Sequence, residues 1–221
     1  MSFSNNQKLS QRLILLSPLA VIGVGNIMAR LAGGILGVWA WIPLTLILWM
    51  MFGLLIAWGG GREAIRNWAR APQGARGWSA LAIVVGLIPL PLFLSNWTLF
   101  DSPALGLAWL IFALVNAPLE EGYWRGLLLD KAAGWPGWLS VLYSSFCFAI
   151  NHPLTFGVHS IANRHPVTVL STFIMGLAWA SVYRKTGSLR WTVSAHVLVD
   201  LFNLSVLAFL NVYVPPSLPG R

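Results

Sequence analysis

The chain has 221 residues, of which 57% are hydrophobic and only 9% charged, whereas soluble domains carry about 25% charged residues. This composition excludes an ordinary soluble domain and predicts an integral membrane protein. The formal net charge of +8 would suggest a nucleic-acid partner in a soluble protein, but the basic residues cluster between apolar segments, so we expect no nucleic-acid partner.

Apolar segments of helical length follow one another along the whole chain. A bilayer core needs about 20 mostly apolar helical residues. The sequence therefore predicts an all-α, polytopic membrane protein with about seven transmembrane helices, near 13–29, 36–58, 79–98, 106–130, 137–153, 167–183 and 190–212. No small-residue cleavage site follows the first apolar run before Arg30, so we expect this helix to be retained.

Lysines and arginines are distributed unevenly between the two sides of these spans, and they favour the cytoplasmic side. With a cytoplasmic amino terminus, ten fall inside and three outside, with Arg125 set aside as buried. The ten are Lys8, Arg12, Arg62, Arg66, Arg70, Arg76, Lys131, Arg184, Lys185 and Arg190, and the three are Arg30, Arg164 and Arg221. We predict a cytoplasmic amino terminus and an external carboxyl terminus in a bacterial inner membrane. The arginine-rich segment "GGGREAIRNWARAPQGARGW" is interpreted as a topology anchor, with an interfacial helix on anionic lipid as the alternative.

Ionisable residues inside the spans cost roughly 2.5–3.5 kcal/mol each on insertion scales and therefore mark function. The fourth span contains Glu120, Glu121 and Arg125. Glu121 and Arg125 are four residues apart and share a helix face, which predicts an ion pair. Glu120 points elsewhere, on the side of Asn116, so we predict that Glu120 is the carboxylate free to take and give a proton. Helix cross-linking by all three charges is the alternative.

The fifth and seventh spans each contain a polar stripe. In "YSSFCFAINHP", Ser145 and Phe148 share a face with His152, and the following Pro153 predicts that the helix ends or kinks there. Cys147, the single cysteine, excludes an internal disulfide, and it lies about 140° around the helix from His152, which disfavours a cysteine–histidine nucleophile. In the seventh span the stripe is formed by Thr192, His196, Asp200 and Asn203. His196 and Asp200 could bind a metal, form an oriented imidazole–carboxylate pair, or merely link helices.

Three motifs in order, "EEGYWRG", "FAINH" and "AHVLVD", fit E-E-x-x-x-R, F-x-x-x-H and H-x-x-x-N/D. Over residues 106–204 the chain resembles the CPBP family of intramembrane proteases, which includes the CAAX prenyl endopeptidases and the abortive-infection and bacteriocin-processing proteins. The resemblance implies that Glu120 and His152 activate water and that His196 and Asp200 stabilise the oxyanion. It also implies supporting roles for Glu121 and Arg125, to which we add Phe148 and Asn116, one turn from His152 and Glu120.

The sequence thus divides into amino-terminal helices with a basic loop at 1–105, a CPBP-like catalytic core at 106–204, and the end of the last helix with a tail at 205–221, all in one membrane domain. An ionised Asp200 would repel an oxyanion. It must therefore be protonated or face His196 and favour an imidazolium that donates instead. We expect a glutamate-dependent endopeptidase with no required cofactor and a cavity that opens towards the cytoplasm.

Several alternatives stay open. In a zinc-dependent metalloprotease, His152, His196, Glu120 and Asp200 would supply the metal ligands. An inactive immunity or scaffold protein and a proton-coupled carrier are the non-peptidase alternatives, although carriers show polar residues in both halves. The expected partners are the lipid bilayer and a peptide or membrane-protein substrate, such as a prenylated or leader peptide, and nothing in the sequence chooses among these substrates.

Overall fold

A computed structural model describes residues 5–74 and 76–215, with no side-chain description for residues 5–7. These residues form helices and no strand, which confirms the all-α prediction. The α-helices are α1 (Asn5–Leu36), α2 (Trp41–Gly59), α3 (Gly61–Trp68), α4 (Arg76–Leu87), α5 (Leu90–Asn96), α6 (Pro103–Glu121), α7 (Leu128–Lys131), α8 (Gly137–Leu154), α9 (Ile161–Arg164), α10 (Pro166–Thr186), α11 (Arg190–Phe202) and α12 (Ser205–Phe209). A π-helix, Gly122–Leu127, joins α6 to α7. Arg221 and the end of the predicted tail lie outside the described residues.

Four segments among the described residues are long and apolar enough to cross a membrane. They are Lys8–Gly59, Arg76–Leu99, Pro103–Lys131 and Pro166–Thr186. The first contains both α1 and α2, which are antiparallel because Gly25 lies against Leu48 and Gly59 against Ile14. The predicted number of seven is not confirmed, since α8 contains serine, asparagine, histidine and proline residues and α11 has only 13 residues.

Two predicted spans are broken in the structure. The prediction of one continuous helix over 190–212 is wrong, because the chain turns at Leu204, whose φ is 60°, before α12 begins. At this turn Ser205 Oγ donates a hydrogen bond to Asn203 Oδ1 over 2.6 Å. The span predicted at 79–98 also divides, into α4 and α5, beside Pro89 and Pro91, because proline has no N–H for the helical hydrogen-bond ladder.

Hydrogen bonds gather the predicted cytoplasmic segments at one end of the bundle, which we call the basic end. Gln11 Nε2 donates to the Lys131 carbonyl over 2.6 Å, joining α1 to the end of α7. Arg190 Nε donates to the Ala69 carbonyl, also over 2.6 Å, joining α11 to the segment after α3. The backbone N–H of Gln73 donates to the Thr186 carbonyl at the end of α10. All ten basic residues counted above lie in or beside these joined segments.

The helices that carry the polar motifs are held at close range. Helix α11 is antiparallel to α6, since Trp109 Nε1 donates to the Leu201 carbonyl near one end while His196 contacts Glu121 near the other. On another face α11 packs on α4, where Gly86 lies so close to Ala195 that an added Cβ would be 2.8 Å from the Ala195 carbonyl oxygen. The position of His196, one residue further on, depends on this contact.

We expect Gly86→Ala to destabilise the protein by about 1–3 kcal/mol, because the new methyl group meets backbone atoms of α11 that cannot move aside. Gly77→Ala is the matched control in the same helix, since an added Cβ there meets no atom within 4 Å. Thermal unfolding of the purified proteins in detergent measures the effect. Equal melting temperatures for the two variants would contradict the close α4–α11 contact.

Candidate active site

A buried ion pair lies where α6 passes into the π-helix. Arg125 Nη1 is 2.9 Å from Glu121 Oε1, and both side chains are fully buried, so the predicted pair is confirmed. The Arg125 guanidinium lies 3.9 Å from the ring centroid of Phe148 and 5.5 Å from that of Trp179. Phe148 thus contacts Arg125 by a cation–π interaction, which is strong in a desolvated place. Together these contacts tie the first motif to α8 and α10.

His196 reaches the same carboxylate from α11. Its Nδ1 lies 2.9 Å from Glu121 Oε1, so Glu121 binds an arginine of its own helix segment and a histidine from 75 residues away. His196 Nε2 is 3.7 Å from both Glu120 Oε2 and Asp200 Oδ1. The ring also packs against Trp179, with centroids 5.1 Å apart. The sequence predicted the arginine partner of Glu121 but not this histidine partner.

Asp200 is held by Asn116 and lies close to Ser205. Asn116 Nδ2 donates to Asp200 Oδ2 over 3.1 Å, and Ser205 Oγ, whose single proton is directed at Asn203, lies 3.3 Å from Asp200 Oδ1. The orientation of the Asn116 amide follows from Trp49, because the indole N–H can only donate, and it donates to Asn116 Oδ1 over 3.0 Å. The amide N–H₂ must therefore face Asp200.

Trp49 and Ser205 were not predicted from the sequence. Trp49 lies in an apolar helix that carries no polar pattern. In a continuous helix Ser205 would lie about 140° around from Asp200. Only the turn at Leu204 brings Ser205 back to the carboxylate, and a helix-period argument could not anticipate that turn.

His152 lies near the end of α8. The helix continues through Pro153 and ends at Leu154, close to the predicted end. His152 Nδ1 is 2.9 Å from the Phe148 carbonyl oxygen, which can only accept, so Nδ1 carries the proton and donates. In the neutral ring Nε2 is then left as an acceptor. The ring packs edge-on against Phe148, with centroids 4.9 Å apart.

Glu120, His152, Asp200 and Asn116 line a single cavity of about 450 Å³. Cys147 is not among its lining residues. Thr192 and Ser145 also lie elsewhere, since their hydroxyl groups donate to the Leu189 and Val141 carbonyls of their own helices. Residues up to 84 positions apart in the sequence therefore meet in one place, and His196 Nε2 lies 3.7 Å from both Glu120 and Asp200.

The cavity extends away from the basic end of the bundle. The sequence predicted an opening towards the cytoplasm, the side on which the basic residues were expected, whereas the lining continues to Ala162, Val167 and Tyr213 at the opposite end. The reason is steric: on the basic side of Glu120 the space is filled by Arg125 and Trp179, which are fully buried.

A structural or catalytic metal ion needs several donor side chains directed at one point. Among the described residues, no group of three or more His, Cys, Asp or Glu side chains is placed to hold a metal ion. In both His152 and His196, Nδ1 is hydrogen-bonded, to Phe148 and Glu121, so Nε2 is the nitrogen that a ligand could reach. Without a preformed group of three ligands, the described residues give no support to the zinc alternative.

Residues 102–202 match the family model described as "Type II CAAX prenyl endopeptidase Rce1-like". This stretch is similar to the Rce1-like family. All three motifs lie inside it, which confirms the resemblance drawn from the sequence. Neither the curated proteins nor the solved structures gave a match to the chain. Together with the apolar helices, the family indicates an integral membrane protein with intramembrane endopeptidase activity on peptides.

Arg125→Met should cost about 3–5 kcal/mol of unfolding free energy, because it leaves the Glu121 carboxylate buried with an uncompensated charge. Adding Glu121→Gln to Arg125→Met should recover much of this loss, since the neutral amide can still accept from His196. Arg62→Met, at an exposed position, is the control and should change little. Melting temperatures in detergent test the series, and a double variant no more stable than Arg125→Met would argue against the ion pair as the cause.

Proposed function

We propose that the protein is a glutamate-dependent intramembrane endopeptidase in which Glu120 and His152 activate a water molecule. The observation that carries the proposal is that Glu120, His152 and Asp200, from three helices, line one cavity. Carboxylate and imidazole side chains are groups that act as general acids and bases in hydrolysis. The mostly apolar walls would keep bulk water from competing with the activated one.

Glu120 is suited to be the general base. Glu120 is 2% exposed, and its Oε2 has no hydrogen-bond partner among the described residues. A buried carboxylate oxygen without a partner can accept a proton from a water molecule at low cost, because no existing hydrogen bond has to break. Glu121, by contrast, has its Oε1 occupied by Arg125 and His196. The division of roles between the two adjacent glutamates follows from these contacts.

His152 would hold the attacking water from the other side. Because its Nδ1 donates to the Phe148 carbonyl, its Nε2 can accept a hydrogen bond from water. Two acceptors, Glu120 Oε2 and His152 Nε2, would then orient both protons of the water and leave an oxygen lone pair for the carbonyl carbon. The same carbonyl contact fixes the plane of the imidazole ring and the nitrogen that carries its proton.

His196 would stabilise the tetrahedral oxyanion. Its Nδ1 faces Glu121, and its Nε2 faces the gap between Glu120 and Asp200. Three carboxylates within 4 Å favour an imidazolium, which donates from both nitrogens. Asp200 then acts through His196, in agreement with the second of the two roles considered for it. An imidazolium can donate a hydrogen bond to the oxyanion, whereas an ionised carboxylate would repel it.

Water, the peptide, Glu120 and His196 account for every bond and proton of the proposed reaction. Glu120 takes a proton as the water oxygen bonds to the peptide carbonyl carbon, and His196 donates to the developing oxyanion. When the carbon–nitrogen bond breaks, Glu120 returns the proton to the leaving amine and the new carboxyl group is released. We further propose seven membrane crossings in a bacterial inner membrane, with the basic end cytoplasmic.

Glu120→Gln should abolish peptide cleavage, and His152→Ala should lower it by about 10²–10⁴-fold, because each removes one group that orients or deprotonates water. Glu63→Gln, an exposed glutamate on α3, is the matched control and should cleave as wild type. Mass spectrometry of membrane-protein fragments from cells with each variant provides the measurement.

Two further results separate this mechanism from its alternatives. Full activity after stringent chelation is expected, whereas loss that zinc restores would establish the metalloprotease. Full complementation of every cellular phenotype by Glu120→Gln would instead favour a scaffold or immunity protein. A carrier would show substrate-dependent proton uptake without peptide products.

We expect Asp200→Asn to retain activity within about tenfold of wild type, because Glu120 and Glu121 still face His196 and the amide can still bind Asn116. Asp200→Leu should lose much more, since it leaves Asn116 Nδ2 without its partner. Steady-state cleavage of one identified peptide by both variants measures the difference. Near-complete loss in Asp200→Asn would mean that the charge of Asp200 is essential to orient His196.

A further inference from the structure

We propose that the peptidase takes substrates from the extracytoplasmic side of the membrane: apolar peptide segments that reach the cavity at the end opposite the basic end. This inference rests on the proposed function, because it concerns what the same cavity receives. It names a substrate class that the sequence left open. A prenylated carboxyl terminus in the cytosol would arrive at the wrong end.

The cavity runs away from the basic end of the bundle. Helix α8 begins at Gly137, beside Arg184 at the basic end, and ends beyond His152 at the other. Helix α10 runs back from Pro166 to Thr186. The cavity lining includes Val167 and Thr168 in the first turn of α10. The cavity therefore extends from the catalytic carboxylates towards the end where α10 begins.

The basic end is closed by the segment around α3. The indole of Trp68 is buried against Gly126, with an added Cβ on Gly126 only 2.7 Å away from it. Trp68 Nε1 donates to Asp130 Oδ2 over 2.9 Å, and Tyr183 Oη donates to Asp130 Oδ1 over 2.6 Å. The Leu189 N–H donates to the Trp68 carbonyl over 2.9 Å. These contacts fix the segment over the ends of α7, α10 and α11, so it blocks an approach from this side.

Charge gives the side of the membrane. Ten basic residues lie at the closed end. The other end has Arg30 and Arg164, the two predicted external arginines within the described part of the chain. The excess of lysine and arginine belongs on the cytoplasmic side. The open end of the cavity is therefore extracytoplasmic.

The walls of the cavity indicate the chemistry of the occupant. Large apolar side chains form most of the lining, among them Phe112, Phe156, Phe209 and Met175. Polar side chains, including Ser171, occur along α10. A volume of about 450 Å³ lies within the range of pockets that enclose a small ligand. An extended peptide with a large apolar side chain fits both features, since its backbone can bond the polar groups while the side chain is buried.

Thiol labelling from each side of the membrane tests the route. In a Cys147→Ala background, we introduce Ser171→Cys on the cavity, Leu170→Cys on the neighbouring position outside it, and Arg66→Cys at the basic end. A membrane-impermeant maleimide added to cells with a permeabilised outer membrane should label Ser171→Cys and neither control. In inverted inner-membrane vesicles it should label Arg66→Cys and not Ser171→Cys. Labelling of Ser171→Cys should also lower peptide cleavage at least tenfold.

Labelling of Ser171→Cys only in inverted vesicles, together with Arg66→Cys, would overturn the inference. Equal labelling of Leu170→Cys and Ser171→Cys would also overturn it, because the reagent would then not report the cavity. Analysis of the cleavage fragments distinguishes a failure of this inference from a failure of the proposed peptidase function. If wild type cleaves only cytoplasmic segments, the peptidase stands and this inference fails; if wild type and Glu120→Gln give identical fragments, the peptidase itself fails and its substrate class with it.

Discussion

The site depends on one buried carboxylate, that of Glu121. Its Oε1 is 2.9 Å from both Arg125 Nη1 and His196 Nδ1, so a single oxygen joins α11 to the junction of α6 and the π-helix. An ionised carboxylate without bulk water is stable only with such partners. The contact fixes the His196 ring and leaves its second nitrogen facing Glu120 and Asp200. Glu120 and Asp200 are thus positioned on either side of the second nitrogen of His196.

The polar residues of the site could be found from sequence because the bilayer makes them rare. Glu120, Glu121, Arg125, His152 and Asp200 stand out in apolar surroundings where each would cost free energy without a purpose. Helical spacing then separated the paired glutamate from the unpaired one, and the contacts agree with this separation. The same argument failed for Trp49, since an apolar helix gives no reason to choose one tryptophan among thirteen.

The sequence did not show where the chain turns or how side chains from different helices pack against one another. The turn at Leu204 has no proline or glycine to announce it, so α11 and α12 were predicted as one helix. The course of the cavity depends on which side chains fill the space next to Glu120. Arg125, Phe148 and Trp179 come from three different elements, and only their packing shows that the basic side is occupied. Spacing within one helix carries no information of this kind.

The hydrogen bond from Trp49 to Asn116 has a consequence for the modularity of the protein. Trp49 lies outside the matched stretch 102–202, yet its indole N–H determines which face of the Asn116 amide meets Asp200. The amino-terminal helices are therefore more than a membrane anchor for a portable catalytic unit. A chimera carrying another protein's first two helices would have to provide an equivalent donor at that depth, or Asn116 could reverse and present its oxygen to a carboxylate. Compatibility between the two halves thus includes a requirement for one hydrogen-bond donor at this position, in addition to the packing contacts.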